Sequence, residues 1–288
     1  MKSTYLTNLL LLVVAVLLVW LMTESQTPNT RFITDNLSQS QVTEITIQRK
    51  NQPAITLQYD AQWQLVQPIK ARANQTRIKL LLSLLEQPVE APIPVTEKTP
   101  LADFGLAQPR LILSFNQQSF AFGDTESLSG YRYILHNQQI YLVHDDISPL
   151  LSASASSFID NRLLDTTNNI KALHLPQLFK ENGEQYSAAL SIYQHDGHWQ
   201  SKPESYAQDA LLTLLQNWQQ AYAMQVVIAP EVRMTANTPS VAIDLMDNTQ
   251  RRLMVSQSEN GLTLTDPDLQ LQYQFPAAMA DALFLISR

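Results

Sequence analysis

His195-Asp196-Gly197-His198 sets two imidazoles and a carboxylate within four residues, and two neutral ring nitrogens so placed could enter the coordination sphere of a divalent metal. A zinc site takes three or four protein ligands, so this motif alone supplies too few. An Asp-Gly pair between two runs of alternating apolar residues is first of all a hairpin turn. His144-Asp145-Asp146 gathers an imidazole beside two carboxylates, the ingredients of proton transfer. Asp146, however, stands where a short helix is expected to begin, and a carboxylate there serves the free N–H groups of the first turn. Arg72, Arg77 and Arg132 could hold an anion, but single arginines on a sheet-and-helix unit ordinarily form surface ion pairs. Ten tyrosines and four tryptophans could build a stacking platform for sugars; strand-borne aromatics more often pack as core and cross-strand pairs. The chain has no Gly-x-Ser-x-Gly, no phosphate-cradling glycine loop and no His-Glu-x-x-His, and six glycines in all disfavour nucleotide binding. The expectation is therefore a non-enzymatic protein, with no catalytic, cofactor-binding or metal residue assigned.

The elements that would position such groups recur along the chain. A strand ending near Trp63 precedes a leucine-rich helix over 74–86 carrying Leu81-Leu82-Ser83-Leu84-Leu85. A second strand with Trp199 precedes Leu211-Leu212-Thr213-Leu214-Leu215. An offset of 130 residues separates Leu81 from Leu211, and again Pro109-Arg110-Leu111 from Pro239-Ser240-Val241. A matched order at constant offset predicts a duplicated module. Ile78, Leu81, Leu82 and Leu85 form one apolar stripe, and Leu211, Leu214, Leu215 and Trp218 form its counterpart, so each helix should cover one face of a sheet. Ser205 and Gln208 read as a capping box for the second helix. Alternating apolar residues place strands at 111–115, 120–122, 131–135 and 140–143, then at 241–245, 253–255, 262–264 and 269–273, with a closing helix over 276–286. Leu101 to Leu106 reads as a helical turn ended by Gly105. The predicted division is an anchor over 1–25, a polar tether over 26–40, a first β-rich unit over 41–160 and a second over 168–288.

Composition narrows the partners. Nineteen basic against 26 acidic residues give a net charge of −7, which opposes a nucleic-acid backbone. Only 16% of residues are charged, so contacts with a partner should depend on fitted apolar surface more than on ionic strength. The absence of cysteine removes disulfides, thiolate zinc sites and cysteine nucleophiles together.

Leu9 to Met22 is an unbroken apolar run of fourteen residues, preceded by Lys2, and Tyr5 and Trp20 stand near the two ends of the span. It predicts a single-pass transmembrane helix over residues 5–22, N-terminus cytoplasmic, with a cleaved signal peptide as the rival reading.

The order of Trp63-Gln64-Leu65-Val66-Gln67-Pro68, the leucine helix, Phe104-Gly105-Leu106 with Pro109, Phe122-Gly123-Asp124, Tyr131-Arg132-Tyr133 and Ile140-Tyr141-Leu142-Val143 resembles the bacterial DUF4340 family. That resemblance implies a membrane-anchored protein with a periplasmic bulk, encoded beside ABC-2-type transporter components of the kind found in gliding-motility systems. The combined expectation is an α+β protein: an N-terminal transmembrane helix, then two repeated units, each an antiparallel sheet with a packed amphipathic helix. It would sit in the bacterial inner membrane as an accessory or scaffold subunit of an ABC-type transport complex, the alternative being an anchored periplasmic ligand- or glycan-binding module.

Overall fold

Alternation of apolar and polar residues at period two buries one face of nearly every strand, and two large antiparallel sheets result. The computed structural model describes residues 12–17 and 31–286, except 90, 181, 230, 231, 233, 236, 259 and 260. The first sheet has nine strands. From one edge to the other they run Ala71–Arg72, Gln62–Gln67, Ile55–Asp60, Glu44–Arg49, Leu111–Phe115, Gln118–Thr125, Arg132–His136, Gln139–Val143 and Ile93–Pro94. The second has eight, in the order His198–Lys202, Leu190–His195, Ile170–Leu175, Ser240–Leu245, Gln250–Ser258, Gly261–Asp266, Leu271–Phe275 and Gln225–Ile228.

Apart from Ala71–Arg72 at one edge, the two sheets repeat a single connectivity. Three strands form a meander, a helix follows, one strand goes to the far edge, and four strands return across the sheet beside the first. Trp63 and Trp199 are each the second residue of the third strand, and the cis peptide bonds Gln67-Pro68 and Lys202-Pro203 follow at the ends of those strands.

The leucine stripes bury as their spacing demands. Helix Gln75–Leu82 is capped by Asn74, whose side chain accepts from the N–H of Arg77 at 3.2 Å, and it tightens into a 3-10 turn over Ser83–Glu86. Ile78, Leu81, Leu82, Leu84 and Leu85 are all buried. Helix Gln208–Gln219 packs on strand His198–Lys202 and on the closing helix Ala277–Phe284. There Trp218 lies fully buried, with its indole N–H donating to the carbonyl of Leu283 at 2.7 Å. The Ser205/Gln208 capping box does not form, and the helix starts at Gln208 without a side-chain cap. In the orientation that matches donor to acceptor, the Gln208 amide instead pairs with both the N–H and the carbonyl of Trp199, covering part of an edge strand.

One contiguous apolar core runs through both sheets. The segment between them is a strap bonded to each. Asp160 N–H donates to Arg72 O at 2.9 Å, Leu163 N–H to Ala221 O at 2.9 Å, and Ala223 N–H to Asn161 O at 2.9 Å. Phe158, Ile159, Leu163 and Leu164 are buried along it, while Arg72 pairs with Asp160 and Asp165 at 3.6 Å each. Residues 31–40, polar enough to read as a tether, also touch the fold. Arg31–Phe32 pairs with Pro88–Val89, and Ile33 is buried.

The expectation of an α+β fold headed by a transmembrane helix is corrected. Antiparallel sheet dominates the described residues, and none of their helices is long and apolar enough to cross a membrane. Of the apolar run over residues 5–22, residues 12–17 are described, and they are helical. The single-pass topology, and the inner-membrane location with a periplasmic bulk drawn from it, fall with that helix. The remaining positions of the run, Tyr5 and Trp20 among them, lie outside the described residues.

Candidate functional site

The three glycine- and aromatic-containing motifs of the first sheet meet at one place. The 3-10 turn Leu101–Phe104 ends at Gly105, whose φ of +69° lets its N–H bond back to the carbonyl of Ala102 at 3.0 Å. This turn lies against strand Gln118–Thr125. A β-carbon on Gly123 would sit 2.2 Å from the carbonyl oxygen of Phe104, so only glycine permits the approach. The Phe104 ring meets Tyr133 edge-on at 4.9 Å. Arg132, between the two tyrosines, donates Nη1–H to the carbonyl of Gly123 at 2.7 Å and Nε–H to the carboxylate of Asp145. Asp145 also accepts from the backbone N–H of Ser148 at 2.9 Å, the first residue of helix Ser148–Leu151. Burial alone would raise the Asp145 carboxyl; the hydrogen bonds from Arg132 and Ser148, with the guanidinium charge, hold it below the usual range instead.

Beside this knot runs a groove of about 600 Å³, bordered by Gly105, Gln108, Arg110, Asp124 and Arg132. It adjoins a second hollow of about 380 Å³ bordered by Arg49, Lys50 and Asn51, and the two share Arg110, Leu111 and Ser152.

Most of the groups singled out by type and spacing hold the fold together. His195-Asp196-Gly197-His198 is a two-residue hairpin in which His195 faces His198, with Asp196 and Gly197 at φ +51° and +80° as that turn requires. No group of three or more His, Cys, Asp or Glu placed to hold a metal occurs among the described residues. At 144–146 the roles differ from the sequence reading. Asp145, not Asp146, receives the helix N–H, and Asp146 makes an exposed contact to His144 at 2.9 Å. Arg72 and Arg132 pair with carboxylates, whereas Arg77 lies on the first helix away from the groove. Trp63 and Trp218 are core residues and Trp199 is half-buried against the core.

Arg49, Lys50 and Arg110 were not singled out in the sequence because no local pattern joins them. Strand pairing does so, through Arg49 opposite Leu111 and a 2.9 Å bond from Lys50 N–H to Arg110 O.

Fold and site together define a tandem antiparallel-sheet protein with a basic surface groove on its first sheet. The chain belongs to the family described as a domain of unknown function (DUF4340), which it matches over residues 63–237. No curated protein and no solved structure matches it.

Proposed function

We propose that this protein is a non-enzymatic accessory or scaffold subunit of an ABC-type transport complex and works by surface contact. The observation that supports this is the use made of the motif residues. Gly105, Gly123, Arg132 and Asp145 fasten one stretch of backbone to the next and yield a stiff, shaped surface. The transporter as partner is what the family resemblance implies. A ligand-binding module is the second reading, favoured by the groove beside Arg110.

The test is made in cells. Asp146→Ala, His195→Ala and His198→Ala, each alone, should leave activity nearly intact, while removal of everything after Asn168 should abolish it. Loss of function from one of those single changes, at normal folding and abundance, would replace the contact reading with a catalytic or metal-dependent one.

A further inference from the structure

The groove is basic in an acidic protein. Arg49, Lys50, Arg110 and Arg132 border its two adjoining hollows, and Asp124 is the one carboxylate among the described lining residues, although the chain as a whole carries a charge of −7. Two of these cations are already used. Arg132 is bound to Asp145, and Arg49 donates Nη1–H to the carbonyls of Ser152 and Ala153 at 3.2 and 2.7 Å. The Nε–H of Arg49 is buried without a hydrogen-bond partner among the described residues. Lys50 makes only a 3.5 Å contact to Gln108, and Arg110, exposed on the ridge shared by both hollows, has no side-chain bond or ion pair among the described residues. Unpaired cations at an accessible surface are what an anion needs, and a guanidinium fork matches a carboxylate in two parallel bonds. The cations share the lining of the two hollows with Ala102, Ala107, Leu111 and Phe122. A bare inorganic anion would leave that apolar lining unused.

We infer that this groove takes an acidic segment of a protein partner, its carboxylates on Arg110 and Lys50 and its apolar side chains against Leu111. The inference rests on the contact reading and names where the contact is made; the local basic lining makes this contact salt-sensitive, against the expectation from overall charge content. The probe is a fluorescein-labelled octapeptide of alternating glutamate and leucine, titrated into the whole protein and followed by anisotropy.

Saturable binding is expected, weakened about tenfold by Arg110→Glu and again by raising salt from 50 to 200 mM, because exposed charges are screened over roughly 8–10 Å. Arg77→Glu, on the helix away from the groove, should bind as the wild type does. Arg110 is exposed, so its variant should melt normally, and Lys50→Glu offers a second reading of the same site. Failure of the peptide to bind, equal binding by Arg110→Glu, or displacement of the peptide by low-millimolar inorganic phosphate would each overturn the inference. Those results would leave the contact reading itself to the in-cell variants and truncation.

Discussion

Gly105 and Asp124 approach so closely that a β-carbon on the glycine would lie 2.5 Å from the carboxyl carbon of the aspartate and 2.7 Å from its backbone nitrogen. Gly105 also holds a positive φ that side chains resist. Gly105→Ala should therefore cost about 1–3 kcal/mol. Gly123→Ala should cost at least as much, since its obstacle is the backbone oxygen of Phe104, which cannot rotate away. Urea denaturation of both variants measures this; wild-type midpoints would mean that the turn moves aside freely.

Arg132→Ala should destabilise the fold by about 2 kcal/mol, because it strands the half-buried carboxylate of Asp145 and removes the bond to Gly123 O. The folded Asp145 carboxyl is depressed, so its contribution is complete above the unfolded value of about 3.9 and is lost as pH falls through the lower folded value. Melting temperature against pH should fall more gently below pH 4 in Asp145→Asn than in the wild type. An identical acid limb would assign the loss to other carboxylates.

His136 should make stability sensitive to mild acid. It is buried, stacks on Phe120 at 4.2 Å, and sets Nδ1 2.9 Å from Ser119 O and Nε2 2.9 Å from the Asn137 amide. A neutral ring protonated on Nδ1 satisfies both contacts, donating to the carbonyl and accepting from the amide. Burial pushes its pKa down, against an opposing effect of the Ser119 carbonyl. The unfolded chain therefore takes up the proton first, near pH 6.5, and stability present above that value declines as pH falls through the folded one. His136→Phe should flatten the stability profile between pH 7 and 5; an unchanged slope would refute this.

Leu82→Asp and Leu215→Asp should each lower stability by several kcal/mol, since both side chains are buried and the new carboxylate would have no partner. Because the apolar core is continuous, either change should shift one melting transition of the whole chain. Two transitions, with only one displaced by each variant, would show that the sheets melt independently.

Strands, leucine stripes and hairpin turns were legible in the sequence because each is written in local periodicity. Leu81 and Leu211 bury as a period near 3.6 requires, and Asp196-Gly197 turns as its residue types require. What local pattern left hidden depends on residues far apart. Gln208 has the right spacing for a cap, yet its amide bonds to Trp199, an edge strand that no reading of residues 205–208 could place. Asp146 has the right type to serve the helix start, but Arg132 orients its neighbour Asp145 and that carboxylate takes the role. Arg49 and Arg110 become neighbours only through sheet register, so the groove had no signature at all. The run over residues 5–22 predicted a membrane span from hydropathy alone, whereas none of the described helices is long and apolar enough to cross a membrane.

The strap between the sheets has a consequence for synthesis. A ribosome adding about 5–20 residues per second delivers the first sheet roughly 6–24 s before the last strand of the second. Collapse of a chain this size takes well under a millisecond. The nascent first half therefore waits, collapsed but without its partner sheet, and the side of the strap that will meet Ala221 and Ala223 stays uncovered until those residues emerge. During those seconds it is a target for chaperones and for the same half of a neighbouring nascent chain on the same message.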